Sequence, residues 1–351
     1  MSGDLLSMTL PELKETLTGA GLPAFRAKQV FQWLHQHGAA DYAEMTNLPK
    51  ALRETLAESY PIIGCSIARQ QVSKQDGTVK FLFAMQGGDY AESVVMQYKY
   101  GATICISSQI GCKMGCAFCA STLGGFRRCL TAGEMLSQLY TAERALGVQI
   151  SHIVLMGMGE PLDNYDNVMR FLDLVNDENG RHLSMRNISL STCGLVPQIR
   201  ALQARHLQLT LSVSLHAPNN ELRDRLMPVN RRYPIEQLLA ACRDYAAATS
   251  RRISFEYAML AGVNDSDACA LELAQRLQGI LCHVNLIPVN EVAESPFHPS
   301  APERVRRFAD LLAREGINAT VRRKLGSDID ASCGQLRRRE QAHHSEGGEP
   351  I

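Results

Sequence analysis

Cys112, Cys116 and Cys119 stand in a C-x3-C-x2-C spacing inside the stretch ISSQIGCKMGCAFCAST. Structural zinc asks for four ligands, usually as two separated C-x2-C pairs. Three thiolates leave a metal one ligand short. Thiolates favour iron–sulfur clusters as well as zinc. A cubane held by three cysteines keeps one iron open, and an open position is what catalysis uses. The competing reading is a structural zinc with Cys105 or a distant residue as fourth ligand. The spacing lacks the paired zinc pattern, which favours the cluster.

The rest of the composition narrows the setting. The chain of 351 residues carries 11 cysteines. That number is odd and the spacings outside the triplet are irregular, which argues against a disulfide framework. Cys65, Cys129, Cys193, Cys242, Cys269 and Cys282 read as structural thiols. The formal net charge is zero, so any RNA contact must come from local patches. The candidates are Arg127-Arg128, Arg231-Arg232, Arg251-Arg252, Arg322-Arg323-Lys324 and Arg337-Arg338-Arg339. No apolar run reaches the ~18 residues of a membrane span, and the N-terminus lacks the pattern of a secretory signal. A cytoplasmic protein with no membrane contact is expected.

The elements that must position the cysteines follow from periodicity. Residues 1–60 read as a small helical accessory domain, with Leu10, Leu13 and Leu17 spacing one helix and 24–35 a second. A third runs over 51–59. Residues 61–97 read as a β-rich connection, with Asp76-Gly77 as a hairpin signal. From 98 to 336 apolar strand runs alternate with helices: near 103–107, then 152–156, 187–191, 207–215, 253–257, 283–287 and 317–323. Thr131-Ala-Gly-Glu134 and Ser300-Ala-Pro-Glu303 read as capping boxes, with Gly316 ending the helix after the second. Such alternation predicts an α/β fold, a partial TIM-type barrel of about six βα units. Ligands then sit at the C-terminal strand ends. The tail 337–351 is polar and expected to be disordered.

On the cysteine triplet, with Phe118 before its last member, the chain resembles the radical S-adenosylmethionine superfamily. The wider words are more specific. They are Cys105-Ile-Ser-Ser-Gln-Ile-Gly-Cys112, Met156-Gly-Met-Gly-Glu-Pro161, Ser212-Val-Ser-Leu-His-Ala217, Leu226-Met-Pro-Val-Asn230, Gly262-Val-Asn-Asp265 and Asp328-Ile-Asp-Ala-Ser-Cys-Gly-Gln335. Together they resemble the RlmN/Cfr family of RNA adenine methyltransferases over nearly the whole chain, to about residue 336.

The resemblance implies a [4Fe-4S] cluster on Cys112, Cys116 and Cys119, with S-adenosyl-L-methionine on the open iron. Reduction of the cluster then releases a 5′-deoxyadenosyl radical. Gly159 and Glu160 match the segment that takes the cofactor's amino group, and Ser191, Ser214, Leu215, His216 and Asn290 match further cofactor contacts. Cys333 matches the cysteine that first accepts the methyl group, Glu92 the base that removes the proton from the adenine carbon. Cys105 matches the cysteine that frees the product through a transient disulfide with Cys333. Of the two outcomes in the family, carbon 2 (RlmN-type) is expected over carbon 8 (Cfr-type, conferring ribosome-antibiotic resistance). The implied partners are 23S ribosomal RNA before full ribosome assembly, at adenosine 2503 in the family, and tRNA at adenosine 37. An electron donor such as flavodoxin or ferredoxin completes the set.

Overall fold

The computed structural model describes residues 4–289 and 296–329. Three helices come first: α1 (Leu10–Gly19), α2 (Ala24–His35) and α3 (Lys50–Ser59). In α2, Ala27, Val30, Phe31 and Leu34 are buried, the spacing that turns one stripe inward. These residues belong to the same continuous core as the barrel residues Ile104 and Ile153.

Four strands follow: β1 (Ser66–Val72), β2 (Val79–Ala84), β3 (Tyr90–Tyr98) and β4 (Gly101–Cys105), each antiparallel to the next. A separate two-stranded ladder, β5 (Gln109–Ile110) with β6 (Arg128–Cys129), brackets the short helix α4 (Ala120–Leu123). The parallel strands are β7 (Ile150–Leu155), β8 (Ile188–Thr192), β9 (Thr210–Ser214), β10 (Ile253–Met259), β11 (Cys282–Pro288) and β12 (Ala319–Val321). The crossover helices are α5 (Ala132–Leu146), α6 (Tyr165–Asn176), α7 (Val196–Ala204), α8 (Asn220–Leu226) with α9 (Ile235–Thr249), α10 (Asp267–Leu277) and α11 (Pro302–Arg314).

The sheet order is β1-β2-β3-β4-β7-β8-β9-β10-β11-β12. Six βα units from β4 to β11 therefore build the partial barrel that the alternation predicts, with β1 and β12 at the two edges of the sheet among the described residues. The segment after β12 nevertheless reaches the other edge: Ser73 Oγ donates to Asp328 Oδ1 at 2.6 Å.

Local chemistry explains most boundaries. Thr131 Oγ1 accepts from Glu134 N at 3.1 Å, and Glu134 Oε2 accepts from Thr131 N at 2.9 Å, which starts α5. Ser300 does not cap as expected. Ala301 is the N-cap of α11 and Pro302 its first residue, while Ser300 Oγ donates to Asp265 Oδ2 at 2.7 Å. Proline fits the first helical position, so it sets the start one residue later.

Candidate active site

A cavity of about 410 Å³ lies among the C-terminal strand ends. Cys112, Cys116 and Cys119 all line it. Their loop is held from within, Thr122 Oγ1 donating to Cys119 O at 2.7 Å, and from below, Ala117 N donating to Leu226 O at 2.9 Å. Met114, Cys116 and Phe118 pack on Leu226 and Met227 at the end of α8.

Burial, with the neighbouring Cys119 thiolate, pushes the Cys112 thiol up to about 12. Burial and both neighbours raise Cys116 as well. Three such thiols ionise together only when a cation replaces their protons. Three thiolates on one cavity wall, each able to take a different iron, fit an iron–sulfur cluster that leaves one iron open.

Opposite the loop, Gly157 to Glu160 leaves β7 pressed against the chain leaving β4. A Cβ on Gly157 would meet Ile106 O at 2.5 Å, and one on Gly159 would meet Gln109 Cβ at 2.6 Å. Gly159 also holds φ +103°, a conformation that side chains rarely adopt. Glu160 is buried, and its carboxylate accepts from Leu162 N at 3.0 Å and Cys193 N at 2.7 Å. It thus ties the exits of β7 and β8 together at the cavity wall.

Ser191, Ser214 and His216 line the same cavity. His216 turns the chain with φ +57°, and its Nδ1 accepts from Ala258 N at 2.9 Å. Burial lowers its pKa to about 3, so the ring is neutral and its proton sits on Nε2. Leu215 lies elsewhere. Side chains alternate along a strand, and that of Leu215 is fully buried in the main core, outside the cavity lining. Only its backbone faces the site's framework, Leu215 N donating to Glu256 O at 3.0 Å.

Cys105 lines the cavity and packs with Val94 and Met96. Glu92, on β3, is buried. Its carboxylate lies 3.0 Å from Lys80 Nζ. Asn290 and Cys333 lie outside the described residues, as do Arg337 to Arg339. Of the other basic pairs, Arg127 and Arg128 are engaged with Asp89 at 3.1 and 2.8 Å. Arg322, Arg323 and Lys324 line the cavity.

Four residues escape the sequence reading. Lys80 is one. Cys193, taken as a structural thiol, lines the cavity. Glu256, also on the lining, accepts from Ser254 Oγ at 2.7 Å and Asn285 Nδ2 at 2.8 Å. A carboxylate in the apolar run 253–259 was its signal. Arg223 is fully buried and donates to the carbonyls of Cys193 at 2.7 Å, Ser214 at 3.2 Å and Leu215 at 3.2 Å. Its place after Ser-Leu-His-Ala-Pro gives no hint of burial.

A partial barrel with three cysteines at its mouth and a glycine turn at the next strand end defines the radical S-adenosylmethionine fold. Residues 106–274 match the family model of the Radical SAM superfamily, and residues 3–62 match the Ribosomal RNA large subunit methyltransferase N-terminal domain. A crystal structure of a radical SAM methyltransferase from Sphaerobacter thermophilus superposes with a TM-score of 0.91 at 48% identity, covering 94% of this chain and 98% of that one.

The curated relatives are more specific. The "Probable dual-specificity RNA methyltransferase RlmN" of Alkaliphilus oremlandii is 51% identical over 336 residues, 96% of this chain and 98% of the relative. That of Clostridium novyi is 49% identical over 335 residues, 95% of this chain and 98% of its own. The chain belongs to the RlmN family of radical SAM RNA methyltransferases. No helix among the described residues is long and apolar enough to cross a membrane.

Proposed function

We propose that this enzyme methylates carbon 2 of adenine in 23S ribosomal RNA, and in tRNA, by way of a methyl group carried on Cys333. The observation that carries the reading is the meeting of Cys105, the three cysteines and the Gly159–Glu160 turn around one cavity. The relatives' name, probable dual-specificity RNA methyltransferase, supports two RNA substrates.

Carbon 2 of adenine offers no lone pair to a sulfonium methyl. A thiolate does. Cys333 takes the methyl first: its S–C bond forms as the sulfonium C–S bond breaks, S-adenosylhomocysteine leaves with the electron pair, and the thiol proton passes to solvent. Cys112, Cys116 and Cys119 would hold the cluster, which with a second S-adenosylmethionine supplies the hydrogen-abstracting radical when an electron donor such as flavodoxin or ferredoxin reduces it. Gly159 lets backbone approach the bound cofactor, and Ser191, Ser214, the Leu215 backbone, neutral His216 and Asn290 complete its contacts. The Cys333 methyl carbon, once it has lost a hydrogen atom to that radical, bonds to adenine carbon 2; the adduct would return one electron to the cluster, and Glu92 takes the proton from carbon 2. The Cys105 thiolate then attacks Cys333 sulfur: the S–S bond forms as the sulfur–methylene bond breaks, the released carbon keeps the electron pair and takes up a proton, and the RNA leaves with a methyl group.

The adenine must leave its stack to bring carbon 2 into the cavity. Arg322, Arg323 and Lys324 on the lining suit the flanking phosphates. The test is nucleoside mass spectrometry of unmodified ribosomal RNA and tRNA treated with the reconstituted enzyme. 2-Methyladenosine is expected in both, and 8-methyladenosine would replace the carbon assignment.

A further inference from the structure

The chain after β12 leads toward Cys333, and the structure holds that chain at a place the family resemblance does not mention. Leu325 lines the cavity and packs on the cluster of Val94, Met96 and Cys105. The next residues cross to the turn Ser73–Thr78 between β1 and β2. Four hydrogen bonds join them. Gly326 N donates to Asp76 Oδ2 at 2.8 Å, and Ser327 Oγ to Gln75 Oε1 at 2.8 Å. Ser73 Oγ donates to Asp328 Oδ1 at 2.6 Å, and Lys74 N to Asp328 Oδ2 at 2.8 Å.

The turn itself is built to stay in shape. Ser73 N donates to Thr78 O at 2.8 Å, Thr78 N to Asp76 Oδ1 at 2.9 Å, and Gly77 takes φ +71°. Ser73 and Thr78 are buried, and Thr78 reaches the cavity. Two residues beyond Thr78 stands Lys80, the partner of Glu92. One short turn therefore touches the origin of the Cys333 segment on one side and leads into the support of Glu92 on the other. These bonds also link the chain just beyond the two edge strands, β1 and β12, which do not pair with each other among the described residues.

We propose that the Ser73–Thr78 turn is a positioning element of the reaction, and that Asp328 and Asp76 latch onto it the segment that delivers Cys333 to the cavity. Neither carboxylate touches reacting atoms. The latch fixes where the segment begins, which limits how far the Cys333 sulfur strays from the donor methyl. Misplacement of a reacting group by about 1 Å can cost on the order of a hundredfold in rate. The inference rests on the assignment of Cys333 in the proposed function.

The experiment uses full-length, cluster-loaded enzyme carrying Asp328→Ala, Asp76→Ala or, as the milder change, Asp328→Asn. The readouts are the single-turnover rate at which the Cys333 peptide gains a methyl mass, the iron content, the melting temperature and the affinity for S-adenosylhomocysteine. The latch predicts a methyl-loading rate at least about tenfold lower in both alanine variants, with an intermediate value for Asp328→Asn. Iron content and S-adenosylhomocysteine affinity stay unchanged. Loading at the wild-type rate would overturn the latch, and so would a loss that merely tracks iron content or melting temperature. Cys333→Ala is run alongside. If it still methylates RNA, the assignment of Cys333 fails and the latch with it. If it is inactive while the latch variants load normally, the latch alone fails.

Discussion

Lys80 Nζ lies 3.0 Å from Glu92 Oε2, and both side chains are out of solvent, 0% and 2% exposed. The two residues sit on neighbouring antiparallel strands, Glu92 opposite Leu82 and Lys80 opposite Val94. Removing one member of a buried pair weakens the compensation of the charge that remains, at a cost of up to about 3–5 kcal/mol. Lys80→Met is expected to lose about that much in denaturant unfolding, and Lys80→Met with Glu92→Leu to regain most of it. The double variant, which lacks Glu92, should not methylate RNA if Glu92 is the base. Unfolding at the wild-type midpoint in Lys80→Met would contradict the pair's structural weight.

Each of Cys112→Ala, Cys116→Ala and Cys119→Ala removes one thiol from the cavity wall. Anaerobic reconstitution should load roughly four irons per wild-type chain and clearly fewer in each variant. The melting curve of the metal-free protein should hardly change, since the loop is held by Thr122 and Leu226. A variant that instead binds one zinc with wild-type stability would favour a mononuclear site.

Gly159→Ala meets two obstacles at once. Its backbone holds φ +103°, and a Cβ would lie 2.6 Å from Gln109 Cβ and 2.9 Å from Gln109 N. Strained backbone of this kind costs about 1–3 kcal/mol, and the displaced turn carries Glu160. The expected result is a lower melting temperature together with weaker cofactor binding in calorimetry. Normal binding would show that the turn does not set the cofactor's place.

His35 provides a pH signature away from the chemistry. It is fully buried against Tyr140, 3.2 Å from ring Nδ1 to hydroxyl, and burial lowers its pKa from 6.5 to about 3. Between those values the unfolded chain binds a proton that the folded chain does not. Stability is therefore fully present above pH 6.5 and falls as the pH drops toward 3, by about 1.4 kcal/mol per pH unit for this residue. His35→Phe should flatten that limb by one proton. An unchanged slope in acid unfolding would mean that His35 is protonated in the fold.

How far the sequence reached can be judged element by element. The α5 start at Thr131 was legible because a capping box is local chemistry. So were β8, β10 and β11, whose apolar runs sit between turn residues. The three cysteines, Gly159, Glu160, Ser191, Ser214 and His216 were legible as words at strand ends, and the structure gathers them around one cavity. What failed depended on pairing. Lys80 meets Glu92 only through the β2–β3 register, which no single stretch encodes. The Leu215 side chain packs in the core just past the end of β9, while its neighbours Ser214 and His216 line the cavity. Ser300 lost its capping role to a tertiary partner, Asp265. The contact of Asp328 with Ser73 spans 255 residues of chain, beyond any local pattern.

The central claim is that the chain's own cysteines carry the carbon to RNA and then release it. The most direct measurement is a denaturing gel of Cys105→Ala after turnover with labelled RNA. Without the sulfur that frees the product, RNA should stay covalently joined to the protein, and Cys333→Ala added to the same variant should abolish the adduct. Free 2-methyladenosine-containing RNA released from Cys105→Ala at the wild-type rate, with no adduct, would contradict the account.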